Sequence, residues 1–394
     1  MNRIRLIVSA IIVLIASTSF QVMAQKDGPK SSFNPITVGA PSLTIAADAR
    51  GGGMGDIGAA TEPDVFSQYW NPAKYAFAYS KAGVALAYTP WLRRLVDDID
   101  LAYLSGYFKL GDNDNQAIGA SIRYFSLGEI RMYDILGNEY DNANPYEMAV
   151  DLSYSLKFSD TFAGAAAIRF IYSDLGLNEE GLSPGKSFAA DVAGYYNNYV
   201  MLGASECLLG LGFNISNIGT KISFNDGNDY TFIPTNLRLG ASLLYPMDDY
   251  NTISLNFDVN KLLVPTMPDL TGDDLTDEEK QKLRDDYNSI SPIAGIFKSF
   301  SDAPGGAKEE FQEIMWSVGA EYAYDNQFFV RGGYFYENPN KGNRQYFSIG
   351  AGFKLTAFQL DVAYLISTVP SNPLDQTLRF SLSFDMDGLK NLMR

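Results

Sequence analysis

The stretch Asp375-Gln376-Thr377-Leu378-Arg379-Phe380-Ser381-Leu382-Ser383-Phe384-Asp385 alternates without a break. Leu378, Phe380, Leu382 and Phe384 share one face, and Thr377, Arg379, Ser381, Ser383 and Asp385 share the other. A strand sends successive side chains to opposite faces, so this segment has one greasy side and one wet, partly ionic side. The same two-residue period recurs at 81–89, 98–110, 116–125, 147–158, 161–172, 186–196, 208–216, 235–245, 251–260, 313–324, 327–336, 344–355 and 358–367. In 147–158, for example, Val150, Leu152, Tyr154, Leu156 and Phe158 oppose Asp151, Ser153, Ser155 and Lys157.

These 14 segments mostly reach the roughly 9–11 residues of a tilted bilayer crossing. They predict an all-β membrane protein, a 14-stranded antiparallel transmembrane barrel with both termini on one side. The connections agree. Short ones (111–115, 159–160, 246–250, 325–326, 356–357, with 197–207 the longer exception) alternate with long ones (90–97, 126–146, 173–185, 217–234, 261–312, 337–343, 368–374). Periplasmic turns and outward loops of a barrel differ in this way.

Composition narrows the function. The chain has 394 residues and a formal charge of −16. It offers no basic surface for nucleic acid. Histidine is absent, which removes the usual general base and the commonest metal ligand. Cys207 is the single cysteine, so neither an internal disulfide nor a cysteine metal cluster is expected, and the residue reads as a small packing group. No cofactor, metal or catalytic residue is expected. The 25 Tyr and 25 Phe suit a lipid–water boundary.

Residues 1–24 read as a secretory signal: Arg3 and Arg5, an apolar core over 6–16, and Val22-Met23-Ala24 before the cut. Residues 25–80 hold five prolines and a glycine block and do not read as strand. Within them Gly53-Met54-Gly55-Asp56-Ile57-Gly58 fits the dinucleotide fingerprint only formally, since no βαβ context follows; it reads as a tight glycine turn. Asp112-Asn113-Asp114-Asn115 lacks the later glycine and glutamate of a calcium loop and reads as a turn. Arg123, Asp151, Lys157, Arg238, Asp258 and Asp361 fall on wet strand faces and are expected to form a lumenal polar network.

The longest connection, 261–312, carries a helix start at Thr276-Asp277-Glu278-Glu279, a capping box within an acidic stretch. Its segment 290–300 is too apolar for an idle loop. Ile293, Ile296, Phe297 and Phe300, with Trp91 and Leu92 of the first outward loop, are the candidate partner-binding residues.

Asn71-Pro72-Ala73, after the glycine-rich stretch and just before the first strand, resembles the N-terminal plug signature of the FadL outer-membrane family. The longer blocks, from Pro41 through Gly51-Gly52-Gly53-Met54-Gly55 to Gly58, Tyr69-Trp70-Asn71-Pro72-Ala73-Lys74 and Ala87-Tyr88-Thr89-Pro90-Trp91-Leu92, resemble the PorV (LptO) family. That family comprises the FadL-like outer-membrane components of the type IX secretion system of Bacteroidetes. The resemblance implies an outer-membrane barrel, in contact with lipid and lipopolysaccharide, that binds the C-terminal signal domain of cargo beside the SprA/Sov translocon. It implies delivery of that cargo to the PorU sortase and no catalysis by the barrel itself. The expected layout is signal 1–24, plug 25–80 (with Gly51, Gly52, Gly53, Gly55, Asn71, Pro72 and Ala73 as its motif), barrel 81–385 with 261–312 as the large extracellular loop, and a periplasmic tail 386–394. The alternative is a FadL-like outer-membrane channel for hydrophobic small molecules; a lipopolysaccharide deacylase finds no supporting residue constellation. One departure is that the chain continues past Phe384 to Arg394 instead of ending on an aromatic.

Overall fold

The computed structural model describes residues 33–92, 98–111, 114–133, 136–176, 182–225, 230–268, 270, 275–369, 372 and 374–388. The expected signal segment 1–24, Asp112 and Asn113 of the calcium-like turn, and residues 389–394 of the tail lie outside them.

Strict alternation closes into a single antiparallel barrel. Its strands are β1 (Ala82–Pro90), β2 (Ile99–Leu110), β3 (Gln116–Leu127), β6 (Tyr146–Lys157), β7 (Phe162–Asp174), β8 (Gly185–Leu202), β9 (Ser205–Gly219), β10 (Asn236–Pro246), β11 (Asn251–Leu262), β12 (Ile314–Tyr324), β13 (Phe328–Tyr336), β14 (Gln345–Lys354), β15 (Phe358–Ser367) and β16 (Leu378–Asp385). Each barrel strand pairs with its barrel neighbour in sequence, and β16 pairs with β1 to shut the sheet. A separate hairpin, β4 (Ile130–Tyr133) with β5 (Glu139–Ala143), rises from the connection between β3 and β6.

The closing strand is the stretch with which the sequence reading began. Val84 lies opposite Phe384, Leu86 opposite Leu382 and Tyr88 opposite Phe380. These large apolar side chains face outward, while Arg379, Ser381, Ala85 and Ala87 are buried on the inner face. The pattern repeats around the wall: Leu152, Ile168, Phe188, Leu255, Val330 and Ile349 are each about half exposed or more. Such a surface is unfavourable in water and at home in hydrocarbon, where each outward Leu or Phe withdrawn from water contributes roughly 1.5–3 kcal/mol. Closure leaves no strand edge unpaired, as lipid requires.

Three boundaries depart from the sequence reading. The final strand starts at Leu378, because 374–376 is a turn in which Gln376 takes φ 67°. The expected connection 197–207 is mostly strand: β8 and β9 continue to a two-residue turn at Gly203, with Val200 opposite Cys207 and Leu202 opposite Ser205. Neither Pro nor Gly interrupts 197–202, and Gly203 at φ 67° supplies the reversal. The β4–β5 hairpin was read only as loop.

Candidate functional site

Residues 33–80 form short turns: a 3-10 turn at Pro41–Thr44, α1 (Ala49–Gly52), α2 (Ser67–Trp70) and a 3-10 turn at Pro72–Phe77. Small and polar residues dominate because the segment lies against the inner face of the barrel, where the wall supplies ions and hydroxyls. Asn71 caps the second 3-10 turn by accepting from Ala73 N at 3.1 Å. Its Nδ2 donates to Ala59 O (2.9 Å) and, across to β8, to Gly194 O (3.0 Å). Gln68 donates to Asp151 (2.7 Å) and accepts from Ser153 (2.6 Å), both on β6. Asp258 of β11 accepts the backbone amides of Gly58 (2.9 Å) and Ala59 (3.0 Å) through one oxygen.

An ion chain continues the attachment. Arg50 forks onto Glu321 (3.2 and 2.9 Å) and also reaches Asp64 (2.9 Å). Arg331 joins Glu321 (2.5 Å) to Asp361 (2.6 Å). Asp56 is held by Arg379 and by the Tyr346 hydroxyl (2.6 Å). Forked guanidinium–carboxylate pairs combine charge with fixed geometry, so they position the segment as well as hold it.

The glycine block permits close backbone approach. Gly55 sits at φ 82°, and a Cβ there would stand 2.9 Å from the Tyr334 backbone. A Cβ on Gly53 would meet the Cα of Gly350 at 3.1 Å, and one on Gly51 would meet the Trp70 ring at 2.5 Å. The wall answers in kind: a Cβ on Gly333 would come within 2.6 Å of Gly55 N. The formal dinucleotide match is thus a turn pressed on the wall.

The charges expected in the lumen are there. Arg123, Asp151, Asp258 and Asp361 are buried, Arg238 and Lys157 half-buried. Lys157 Nζ sits 4.6 Å over the Phe77 ring. Arg50, Gln68, Glu321 and Arg331 were not singled out from sequence, and Arg379 was read as a wet-face residue but not as a member of the network. Glu321, Arg331 and Arg379 do occupy wet positions of alternating strands, a signal that marks them as inward. Lys74, fully buried, donates to Gly58 O (2.9 Å) and Thr61 Oγ1 (3.0 Å); no periodicity announces it.

The opposite character appears in the longest loop. Thr276 and Glu279 close the expected capping box of α3 (Asp277–Ser289), which has no buried residue. Ser291 caps α4 (Pro292–Lys298). Tyr287 packs edge-on against Phe232 (ring centroids 5.7 Å) and donates to Pro265 O at 3.2 Å. Gly295 is buried against the same Phe232 and Pro265. Ile293 and Phe297 of α4, and Phe300 in the turn just after it, are 57%, 74% and 52% exposed, Phe300 with Lys261 Nζ 5.8 Å from its ring centroid. Ile293 and Phe297, four apart, share one face of α4. Ile296 is half-buried.

Below, α5 (Ala307–Gln312) is tied to the rim: Lys341 bridges Glu309 (2.5 Å) and Glu313 (3.0 Å), and Lys261 bridges Glu313 (2.6 Å) and Glu310 (3.2 Å). Burial pushes the Asp302 carboxyl in this loop up to about 6.

Trp91 and Leu92 behave differently from the α4 residues. Both are half-buried and pack against a buried cluster of Met315, Phe335, Tyr346, Leu365 and Leu374 inside the barrel mouth. The structure therefore divides the six candidate partner-binding residues into an outward apolar face and an inward-packed pair.

Between the N-terminal segment and the mouth lies a cavity of about 60 Å³, walled by Tyr69, Trp70 and Tyr103 and by Arg123, Arg238 and Arg344 among others. Sites for drug-sized apolar ligands run to about 300–1,000 Å³.

Residues 29–269 match the family profile described as Type IX secretion system protein PorV. No curated protein matches the chain. Solved structures of similar fold include the TodX ΔS2S3 mutant monoaromatic hydrocarbon channel, 12% identical, covering 86% of this chain and 98% of that one with a TM-score of 0.51. The Pseudomonas putida toluene transporter TodX is 10% identical over 90% of this chain and 99% of its own, with a TM-score of 0.49. The Ralstonia pickettii toluene transporter TbuX is 11% identical over 87% and 97%, with a TM-score of 0.45. At such identities the likeness is one of fold alone.

Proposed function

Because the chain belongs to the PorV family of the type IX secretion system, we propose that it is the outer-membrane barrel that receives cargo from the translocon. In this reading it binds the C-terminal signal domain of cargo emerging from SprA/Sov and carries it to the PorU sortase. The barrel performs no chemistry of its own, and residues 33–80 serve as a plug that keeps the lumen shut.

The observation that carries the reading is the outward apolar face of Ile293, Phe297 and Phe300. Large apolar groups exposed together on a short helix and the turn after it, in the longest loop of a membrane barrel, mark an interaction surface. A flexible tether would leave such a face idle, but α4 is capped by Ser291 and docked through Gly295, the preceding α3 is docked through Tyr287, and the following α5 and Glu313 are held by Lys261 and Lys341. A rigid presentation lowers the ordering cost of binding. The cavity beneath the mouth favours this shuttle over a channel for hydrophobic small molecules, since it is small and rich in guanidinium groups; a second, larger one of about 370 Å³ is lined by the charged Arg50, Glu62, Asp64, Glu321 and Lys354 among others.

The test replaces Ile293, Phe297 and Phe300 together by Asp and measures recovery of a tagged cargo signal domain with the purified barrel. Recovery is expected to fall about tenfold or more, while the barrel keeps its strand-type circular dichroism and heat-modifiable mobility. Undiminished recovery rejects this face as the cargo site.

A further inference from the structure

Four arginines and two aspartates line the cavity beneath the mouth. The carboxylates are already engaged. Asp56 is held by Arg379 and Tyr346, and Asp151 by Arg169, Gln68 and Ser121. Arg169 is also matched by Asp191, and Arg344 by Glu337.

Two guanidinium groups have no such match. Arg123, 3% exposed, donates only to the carbonyls of Ser42 (2.5 Å) and Ile45 (2.9 Å) among the described residues. Arg238 donates its Nε to Asn260 at 2.9 Å, and no ion pair to it occurs among the described residues. The nearby buried Asp258 directs one oxygen to the amides of Gly58 and Ala59; its other oxygen has no hydrogen-bond partner among the described residues and forms no ion pair with Arg238. Both arginines stack on aromatic faces: Arg123 over Tyr69 (5.0 Å) and Tyr103 (5.4 Å), Arg238 over Trp70 (4.6 Å) and Tyr69 (5.2 Å). Stacking holds each plane still, and the N–H groups not donated to Ser42, Ile45 and Asn260 remain for a ligand in the cavity that both residues line.

Taking a charge out of water without an opposite charge is costly. Two such groups lining one small void make it a place of positive potential. We propose that the cavity is an oxyanion site, taking one carboxylate or phosphate group between Arg123 and Arg238, with the Tyr69 ring as the shared wall. At about 60 Å³ the void admits a head group of a few heavy atoms and excludes a bulky apolar ligand. The fork geometry of guanidinium suits two-oxygen acceptors over a halide. This site is independent of the α4 face, so either can fail without the other.

The experiment uses the full chain in detergent micelles and follows its melting temperature with sodium acetate or inorganic phosphate against sodium chloride at matched ionic strength. A saturable rise in Tm is expected with at least one oxyanion, and acetate against phosphate distinguishes a carboxylate site from a phosphate site. Arg238→Gln is expected to weaken the half-saturating concentration about tenfold or more. Should that variant fold poorly, Asn260→Asp provides the second reading. It places a carboxylate within reach of Arg238, so the protein is expected to melt higher without added anion and to lose the acetate or phosphate response. Equal melting in all three salts, or a response that survives intact in both variants, overturns the proposal.

Discussion

Residues 33–80 and 261–312 are segments of similar length that stand apart from the regular wall, and they treat it in opposite ways. The first directs its polar groups at the wall: Asn71, Gln68, Arg50 and Asp56 each find partners on barrel strands. The second touches the protein through one side, at Tyr287, Gly295 and the lysine bridges, and presents Ile293, Phe297 and Phe300 to the outside. The difference separates a segment built to stay from one built to meet something. Disruption should therefore damage structure in the first region and recognition in the second.

The largest effect is expected from Gly55→Val. A β-branched residue at φ 82° is strained, and its Cβ would press on the Tyr334 backbone at 2.9 Å. Together these cost about 3 kcal/mol or more, to be seen as protease cleavage within 33–80 in an otherwise intact barrel. Asn71→Ala comes next. It strands the carbonyls of Ala59 and Gly194 and the amide of Ala73 in a fully buried setting, a loss of about 2–3 kcal/mol in thermal unfolding. Ile293→Ser with Phe297→Ser, by contrast, should change stability by no more than about 0.5 kcal/mol yet reduce cargo recovery. A large stability loss there would erase the contrast.

The smallest effect concerns pH. With the folded carboxyl of Asp302 raised to about 6, its stabilising contribution is present in acid and is lost as pH rises toward and through that value. Amide hydrogen exchange around 299–306 should accordingly be slower at pH 5 than at pH 7.5 after correction for intrinsic rates. Asp302→Asn should remove the difference.

The barrel was legible because lipid enforces a two-residue period on every strand, and one slipped residue would turn Arg379 or Asp151 into hydrocarbon. The strand count and the inward charges followed from that period alone. The overhang of β8 and β9 was not legible, because Tyr199 and Leu208 flank a turn that only Gly203 marks, within residues that read equally well as a polar connection. The glycine block announced close packing but could not say against what: Gly333 and Gly350 lie on strands nearly 300 residues away. The split between outward Phe297 and inward Trp91 was also hidden, since both are aromatic residues in outward loops. Only the register of the neighbouring strands decides which one turns toward Met315 and Phe335.

The amide of Ala49 donates to the Ser381 hydroxyl, 332 positions further along, and Asp56 reaches Arg379 on the same final strand. An early stretch of polypeptide thus completes its contacts only when the last stave arrives. Enclosure and sealing become one event during assembly, and lesions in the glycine turn should surface as stalled insertion intermediates before they register as a lower melting point.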